Sequence, residues 1–338
     1  MMSILTPQER EIFKQMKIEE ISIENKDSWS KLHESRSTDP YMSWEYCQII
    51  DDKYELGITL LCIENGNNGI MLTYAKRSKK NDYFDLFTPY GMGGIEIWGD
   101  KKEDMIQSLS KYLGSKQYVS YYLLCSADQF KQNNDLFKTH RTTYNLNLNK
   151  SVEELWKEIH KNHKYEIKKI KQDDFKIIYE KSILKDNFTD LYEQTILRVN
   201  ASSAYSYKRA TLQNLINSNI SELIGASINN KIVCVVLFIK FKNKAEYFIN
   251  ASTQEGRFAS RKLIWEMIVN LKEQGIETIN LGGGVKEGDF LDDFKRRFGG
   301  KAMPMGKLTG VVNHVKYDEL CKEFCLHEST DYFPPYWA

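Results

Sequence analysis

The sequence predicts an α/β protein, as one large domain or two medium ones. Three observations lead there. The chain has 338 residues, more than one typical domain needs, which fits one large domain or two medium ones. Hydrophobic residues make up 41% of it, enough to fill a core, and the 28% charged fraction is ordinary for a soluble protein. Finally, "ELIGASINNKIVCVVLFIKFKNKAEYFINAS" (222–252) reads as three strands joined by tight turns at Asn229–Asn230 and Lys242–Lys244, followed by a long helix and another strand. The boundary falls near residue 150, giving an N-terminal domain over 1–150 and a C-terminal domain over 151–338 that ends in a short tail.

In chain order, "TPQEREIFKQM" starts a helix, with Thr6 as cap, Pro7 at the first helical position and Glu9 at the third. "ELGITLLCIENGNNGIMLTYAKRS" gives two strands about a Gly/Asn-rich turn at 65–69. "YFDLFTPYGMGGIEIWG" is an apolar run that breaks at Pro89 and enters three glycines. "DKKEDMIQSLSKYL" reads as a helix, and "YVSYYLLC" and "TTYNLNL" as strands. Ser151 caps a helix over 151–164 whose apolar face is Leu155, Trp156 and Ile159, with Glu153 and Glu154 favouring its start. Its continuation "YEIKKIKQDDFKIIYE" carries a basic run and then a short strand or helix. Further helices cover 185–200 and "YKRATLQNLINS". "IVCVVLFI", apolar throughout, is a central strand. The long helix in "GRFASRKLIWEMIVNLKEQG" presents Leu263, Ile264, Met267, Ile268 and Leu271 as a stripe and stops at Gly275, and "IETINLGGG" is the next strand.

Composition excludes several classes. A formal net charge of +1 gives no global steering toward nucleic acid or membrane, and DNA is not expected as a partner. Cys47, Cys62, Cys125, Cys234, Cys321 and Cys325 have neither zinc spacing nor the density of a disulfide framework, so no metal is expected. No signal peptide and no window of ~18 apolar residues is visible, so no transmembrane segment is expected. The expected location is cytoplasmic, with room for peripheral attachment to the inner face of the membrane. The sequence leaves the oligomeric state open.

Leu281-Gly-Gly-Gly, then Phe290, then Phe294-Lys-Arg-Arg-Phe-Gly-Gly forms a pattern that resembles the FemA/FemB/FemX-like transferases, relatives of the general N-acetyltransferase superfamily. "TPYGMGG" (Thr88–Gly94) resembles their Tyr-Gly-x-Gly-Gly segment. "LWKEIHKNHKYEIKKI" (Leu155–Ile170) resembles their Trp-containing helix that runs into a basic segment, though the family has more Arg there. The resemblance covers most of residues 55–305. It implies two tandem acyltransferase-like (N-acetyltransferase-type) domains with mixed, largely antiparallel sheets, and transfer of an acyl or aminoacyl group to an amine. It implies no tightly bound cofactor, with acyl-coenzyme A or aminoacyl-tRNA as donor co-substrate. The transfer-RNA users often carry a long helical arm in the second domain, and nothing between 200 and 250 suits one. That favours a small-molecule amine or a nucleotide-linked sugar precursor as acceptor. The alternatives are a tRNA-dependent peptidoglycan-precursor aminoacyltransferase and a non-catalytic, ligand- or protein-binding member.

Amide formation needs an oriented neutral amine and a stabilised oxyanion. Gly282, Gly283 and Gly284 allow positive φ angles and close approach by a ligand, or simply let the chain leave a strand. Lys295, Arg296 and Arg297 lie on a helix, beside Phe290, Phe294 and Phe298, which recur at four-residue spacing and should pack inward. These cations suit a phosphate-bearing ligand or a solvated face paired with Asp292 and Asp293. Lys295 leads because the family pattern retains it. "TQEGRFASRK" lacks the coenzyme-binding signature, yet Arg257 and Arg261 at the helix start suit an anion. Tyr90 and Gly93 mark a substrate loop, and Tyr205 and Tyr207 line a cleft. Tyr247 and Asn250 face opposite ways unless a bulge intervenes. Asp289 or Glu287 is the general-base candidate. His160 and His163 read as a polar helical face.

Overall fold

The computed structural model describes residues 16–54, 57–80, 82–170, 175–201, 207–325 and 332–338. The expected helix around Thr6–Pro7, Tyr205 and His327 lie outside these. The chain divides into two compact units, residues 1–140 with 304–338, and residues 141–303. The first unit is thus discontinuous in sequence, and its boundary lies at 140/141 where the sequence suggested 150.

The first unit begins with β1 (Lys17–Ser22), α1 (Lys26–Arg36) and α2 (Trp44–Ile50). β2 (Ile58–Asn65), β3 (Asn68–Lys80), β4 (Tyr83–Phe87) and β5 (Ile95–Trp98) follow, then α3 (Lys102–Ser115), β6 (Ser120–Cys125) and α4 (Ala127–Gln132). β1 to β4 pair in antiparallel succession, β5 also pairs with β3, and β4 runs parallel to β6. The β2–β3 hairpin closes where expected, with Gly66 at φ +58° supplying the left-handed turn residue. Met105, Leu109 and Leu113 on one face of α3 pack on Leu61, Ile63, Ile70 and Leu72.

The second unit carries β7 (Lys138–Asn147), α5 (Val152–Glu158), α6 (Lys161–Lys169), β8 (Lys176–Ile178), α7 (Lys181–Val199) and α8 (Arg209–Asn217). Then come β9 (Ser221–Ile228), β10 (Lys231–Phe241), β11 (Lys244–Ser252), α9 (Ser260–Glu273), β12 (Thr278–Asn280) and α10 (Phe290–Arg296). Its strands run β7-β12-β11-β10-β9-β8, and among the described residues only β11 and β12 are parallel. The sheets are mixed and largely antiparallel. β10 is central and buried from Val233 to Ile239, as its continuous apolar run requires.

Two sequence expectations are corrected here. The helix expected over 151–164 is two helices. Ser151 and Glu154 form a capping box for α5, but Ile159 is extended, and the His160 side chain accepts from the Asn162 N–H to cap α6. The expected short tail is also wrong. It contains an eleven-residue strand, β13 (Lys301–Val311), paired with β6 through Gly306–Val311, and the helix α11 (His314–Phe324). Gly306 and Gly310 hid that strand from composition. They are small because Phe130, Phe137 and the Tyr121 ring occupy the space a Cβ would need.

The aromatic segment 332–338 is pinned in the first unit by Asp85, which is 1% exposed. Its Oδ1 accepts from Ser120 Oγ (2.6 Å) and Tyr336 Oη (2.7 Å), and its Oδ2 accepts from Trp337 Nε1 (2.8 Å). Burial, and then Asp85, push the Tyr336 phenol well above its ordinary pKa.

Candidate functional site

In the second unit β11 and β12 are neighbours for only three residue pairs, Lys244–Glu246 against Thr278–Asn280. Beyond them the strands part. β11 continues to Ser252 on β10. The other chain stays with β7, the Leu281 N–H donating to the Tyr144 carbonyl (2.8 Å) and the Tyr144 N–H to the Gly282 carbonyl (3.1 Å). An opening therefore lies between Tyr247 and Leu281, and on the edge of β11 that faces it no strand pairs among the described residues. A β-bulge sits on β11 at this point: Leu237 pairs with Ile249 and Phe238 with Tyr247, leaving Phe248 as the extra residue. The bulge puts Tyr247 and Asn250 on one face, and the Asn250 side chain hydrogen-bonds to the Tyr247 phenol. Ser260 Oγ (3.4 Å) and Cys234 Sγ (3.5 Å) both donate to Asn250 Oδ1.

Lys295 crosses this opening. It projects from α10, is 8% exposed, donates from Nζ to the Gly283 carbonyl (2.8 Å) and lies 5.6 Å from the centre of the Tyr247 ring. Burial, reinforced by Arg141 and only partly offset by Asp289, Asp292 and Glu246, lowers its pKa from 10.5 to about 8. The amine is therefore mostly protonated at pH 7. A lysine with a folded pKa below its unfolded value destabilises the fold while it stays charged. The penalty is about 3 kcal/mol at neutral pH and fades as pH rises from 8 toward 10.5.

The glycines serve the frame of this site. Gly282 takes φ +70° and its N–H donates to Asn280 Oδ1 (2.8 Å). A Cβ on Gly283 would overlap the Thr142 carbonyl, and one on Gly284 would overlap Asp289. The close approach that these glycines permit is thus to neighbouring parts of the chain. We expect Gly283→Ala to lose about 2 kcal/mol in urea unfolding, because the obstructing atom is backbone.

Asp289 caps α10. Its Oδ1 accepts from the Asp292 N–H (2.7 Å), and its Oδ2 accepts from the N–H groups of Val285 (2.8 Å) and Lys286 (2.9 Å). These bonds hold its pKa below the usual carboxylate range, the reverse of what a general base needs. Asp292 is buried, accepting from Tyr144 Oη (2.9 Å) and the Gly288 N–H (3.2 Å), while burial and then this bond push Tyr144 up to about 12. The chain from β7 through Tyr144 and Asp292 to α10 fixes the position of Lys295.

The Phe-Lys-Arg-Arg-Phe-Gly-Gly run also has a packing basis. Phe298 is buried, and Phe294 packs on the same core from a partly buried position. Phe290, expected inside, is 74% exposed because it opens α10 on the solvent side. Gly299 takes φ +85° beside the Glu158 carbonyl. His163, expected on a polar face, is 1% exposed, with its ring 4.8 Å from that of Phe298 and its Nε2–H donating to the Phe294 carbonyl (3.0 Å). Burial, and then Arg261, lower its pKa to about 4. The folded state thus binds fewer protons than the unfolded one. We expect stability to fall by about 3 kcal/mol as pH drops from 6.5 toward 4, and His163→Gln to flatten that slope in pH-dependent urea unfolding.

The remaining candidates scatter. Arg296 is exposed and paired with Asp293 (2.5 Å), and Arg297 pairs with the same carboxylate (2.6 Å). Arg257 is exposed on a short 3-10 turn before α9. Arg261 lies over the Phe294 ring (5.3 Å), its Nε buried without a hydrogen-bond partner. Tyr207 packs between Tyr192 and Phe248, each ring 6.2 Å away. Tyr90 and Gly93 belong to the first unit. There the Tyr90 N–H donates to Tyr54 Oη (2.7 Å), its carbonyl accepts from Tyr46 Oη (2.7 Å), and Gly93 abuts Asp39. Sequence reasoning does not mark Tyr144, Asp292 or His163 as site residues. Tyr144 alternates with Leu146 and Leu148 in the strand pattern, which pointed to core and not to a polar partner.

Solved structures share this architecture. One described as FemX is 12% identical, covers 90% of this chain and 99% of its own, and superposes with a TM-score of 0.66. This chain shares the fold of FemX. A conserved protein of unknown function from Bacteroides thetaiotaomicron is 12% identical (87% and 98% covered, TM-score 0.58). L-PGS from Bacillus licheniformis is 9% identical (85% and 92% covered, TM-score 0.54). No protein-family model matches the chain, and no curated protein does. No helix among the described residues is long and apolar enough to cross a membrane.

Proposed function

We propose that the protein is an amide-forming acyltransferase built from two tandem N-acetyltransferase-type domains, with its chemical centre at the opening between β11 and β12. The observation that carries this reading is the buried, charged Lys295 amine held across that opening by the Gly283 carbonyl. One of its three N–H groups is on Gly283, leaving donors for an oxyanion. In the reaction the acceptor nitrogen attacks the donor carbonyl carbon. The carbonyl electrons move to oxygen, which Lys295 stabilises. The C–N bond forms, the C–S or C–O bond to the donor breaks, and the proton lost by the amine passes through water to the leaving group. Asp289 keeps α10 in place and takes no proton. Asn250, on the same face as Tyr247, serves substrate binding, Gly282, Gly283 and Gly284 hold the frame of the opening, and Arg257 and Arg261 serve the donor's phosphates. The acceptor is an amine on an amino sugar, amino acid or cell-envelope precursor, in the cytoplasm.

The donor is acyl-coenzyme A or aminoacyl-tRNA, and mass spectrometry decides between them. The protein is incubated with each donor and a panel of amine acceptors. A product carrying the acyl mass on the amine is expected with one donor class. Intact donors and acceptors in every pairing, from folded protein, would overturn the reading.

A further inference from the structure

The basic segment around α6 plays no part in the chemistry above, yet it walls a groove. Val152, Trp156, Ile167 and Trp265, on α5, α6 and α9, line a surface pocket of ≈ 480 Å³, and Lys157, Lys168 and Lys262 stand at its edge with Glu153. The volume is that of a small-molecule site. Trp156 and Trp265 meet edge to face with centroids 5.0 Å apart, and Lys168 lies 5.6 Å from the Trp156 ring centre. Lys262 is paired with Glu266 (2.6 Å), whereas Lys157 and Lys168 face solvent.

We propose that this groove binds an anionic single-chain amphiphile, its hydrocarbon chain lying along Val152 and the paired Trp156 and Trp265 rings and its head group on Lys157 and Lys168. The shape suits a chain that lies in a shallow recess. Trp265 is 8% exposed and Ile167 is 3% exposed, so the apolar residues are recessed and would not protrude into a bilayer. With its second tryptophan buried and the two rings edge to face, the groove offers no aromatic platform on which successive bases of a single-stranded nucleic acid could stack. The charge selects the head group: with Lys262 paired to Glu266, Lys157 and Lys168 still outnumber the one lining glutamate.

Isothermal titration with dodecanoate, kept below its micelle concentration, tests the site on the full chain. Saturable single-site binding is expected. It should weaken roughly three- to fivefold in the Lys157→Ala/Lys168→Ala double variant, whose lost charges are exposed, and vanish in Val152→Trp, which fills the groove. Retention of the wild-type thermal midpoint shows that each variant still folds. Equal binding of dodecyltrimethylammonium would overturn the proposal. So would binding that both variants leave unchanged, or binding only to anionic phospholipid vesicles.

Discussion

Replacing Lys295 with methionine lowers kcat by about 10²- to 10³-fold while KM changes little. That is the range for removing one preorganised oxyanion donor from a site sheltered from water. Methionine keeps the length and apolar stem of the side chain and deletes the charge. The variant therefore also sheds the cost of burying a cation, and its unfolding free energy should stay within about 1 kcal/mol of wild type, the Gly283 carbonyl losing its partner in exchange. Arginine should not rescue the rate, because a planar guanidinium does not fit the point-like contact that Lys295 makes with Gly283. A methionine variant of wild-type speed would remove Lys295 from the chemistry.

Asp85→Ala should cost about 3 kcal/mol or more in urea unfolding, the largest stability loss expected of a single substitution here. The change strands three donors, Ser120 Oγ, Tyr336 Oη and Trp337 Nε1, around a buried site. It also frees Tyr336, which packs with Val119 and Leu320 in a small core of its own. Asp85→Asn keeps the acceptor Oδ1 and should fall between the two. A loss under 1 kcal/mol for the alanine variant would mean that segment 332–338 contributes little to the first unit.

Much of the second unit could be read from sequence, because its elements are long and strongly patterned. The β9–β10–β11 meander, the stripe of α9 and the turn at Asn229–Asn230 all stand as expected. The errors have local causes. β13 is broken in composition by glycines that tertiary neighbours require. α5 and α6 share one hydrophobic period across the extended Ile159. His163 looked polar, and only the ring contacts with Phe294 and Phe298 reveal that it is core.

The site shows the same division. Its glycine run and its lysine stood out as residues, but the opening they frame depends on where β11 and β12 stop pairing, a long-range property with no local signature. The bulge at Phe248 is likewise invisible in the alternation of β11, although it alone lets Tyr247 and Asn250 share a face. Asp289 illustrates the opposite hazard. With Glu287 it is an acid in a loop and so a candidate base, while its hydrogen bonds from the N–H groups of Val285, Lys286 and Asp292 make it a cap.

The most direct test of the account is the titration of Lys295 itself. It can be followed through its ¹³Cε resonance by NMR and assigned by its loss in the methionine variant. A midpoint near 8 is predicted, moving upward when an anionic donor analogue occupies the opening and favours the charged amine. A midpoint at the ordinary lysine value of 10.5, unmoved by any donor, would contradict it, because it would describe a solvated lysine with no part in holding an oxyanion.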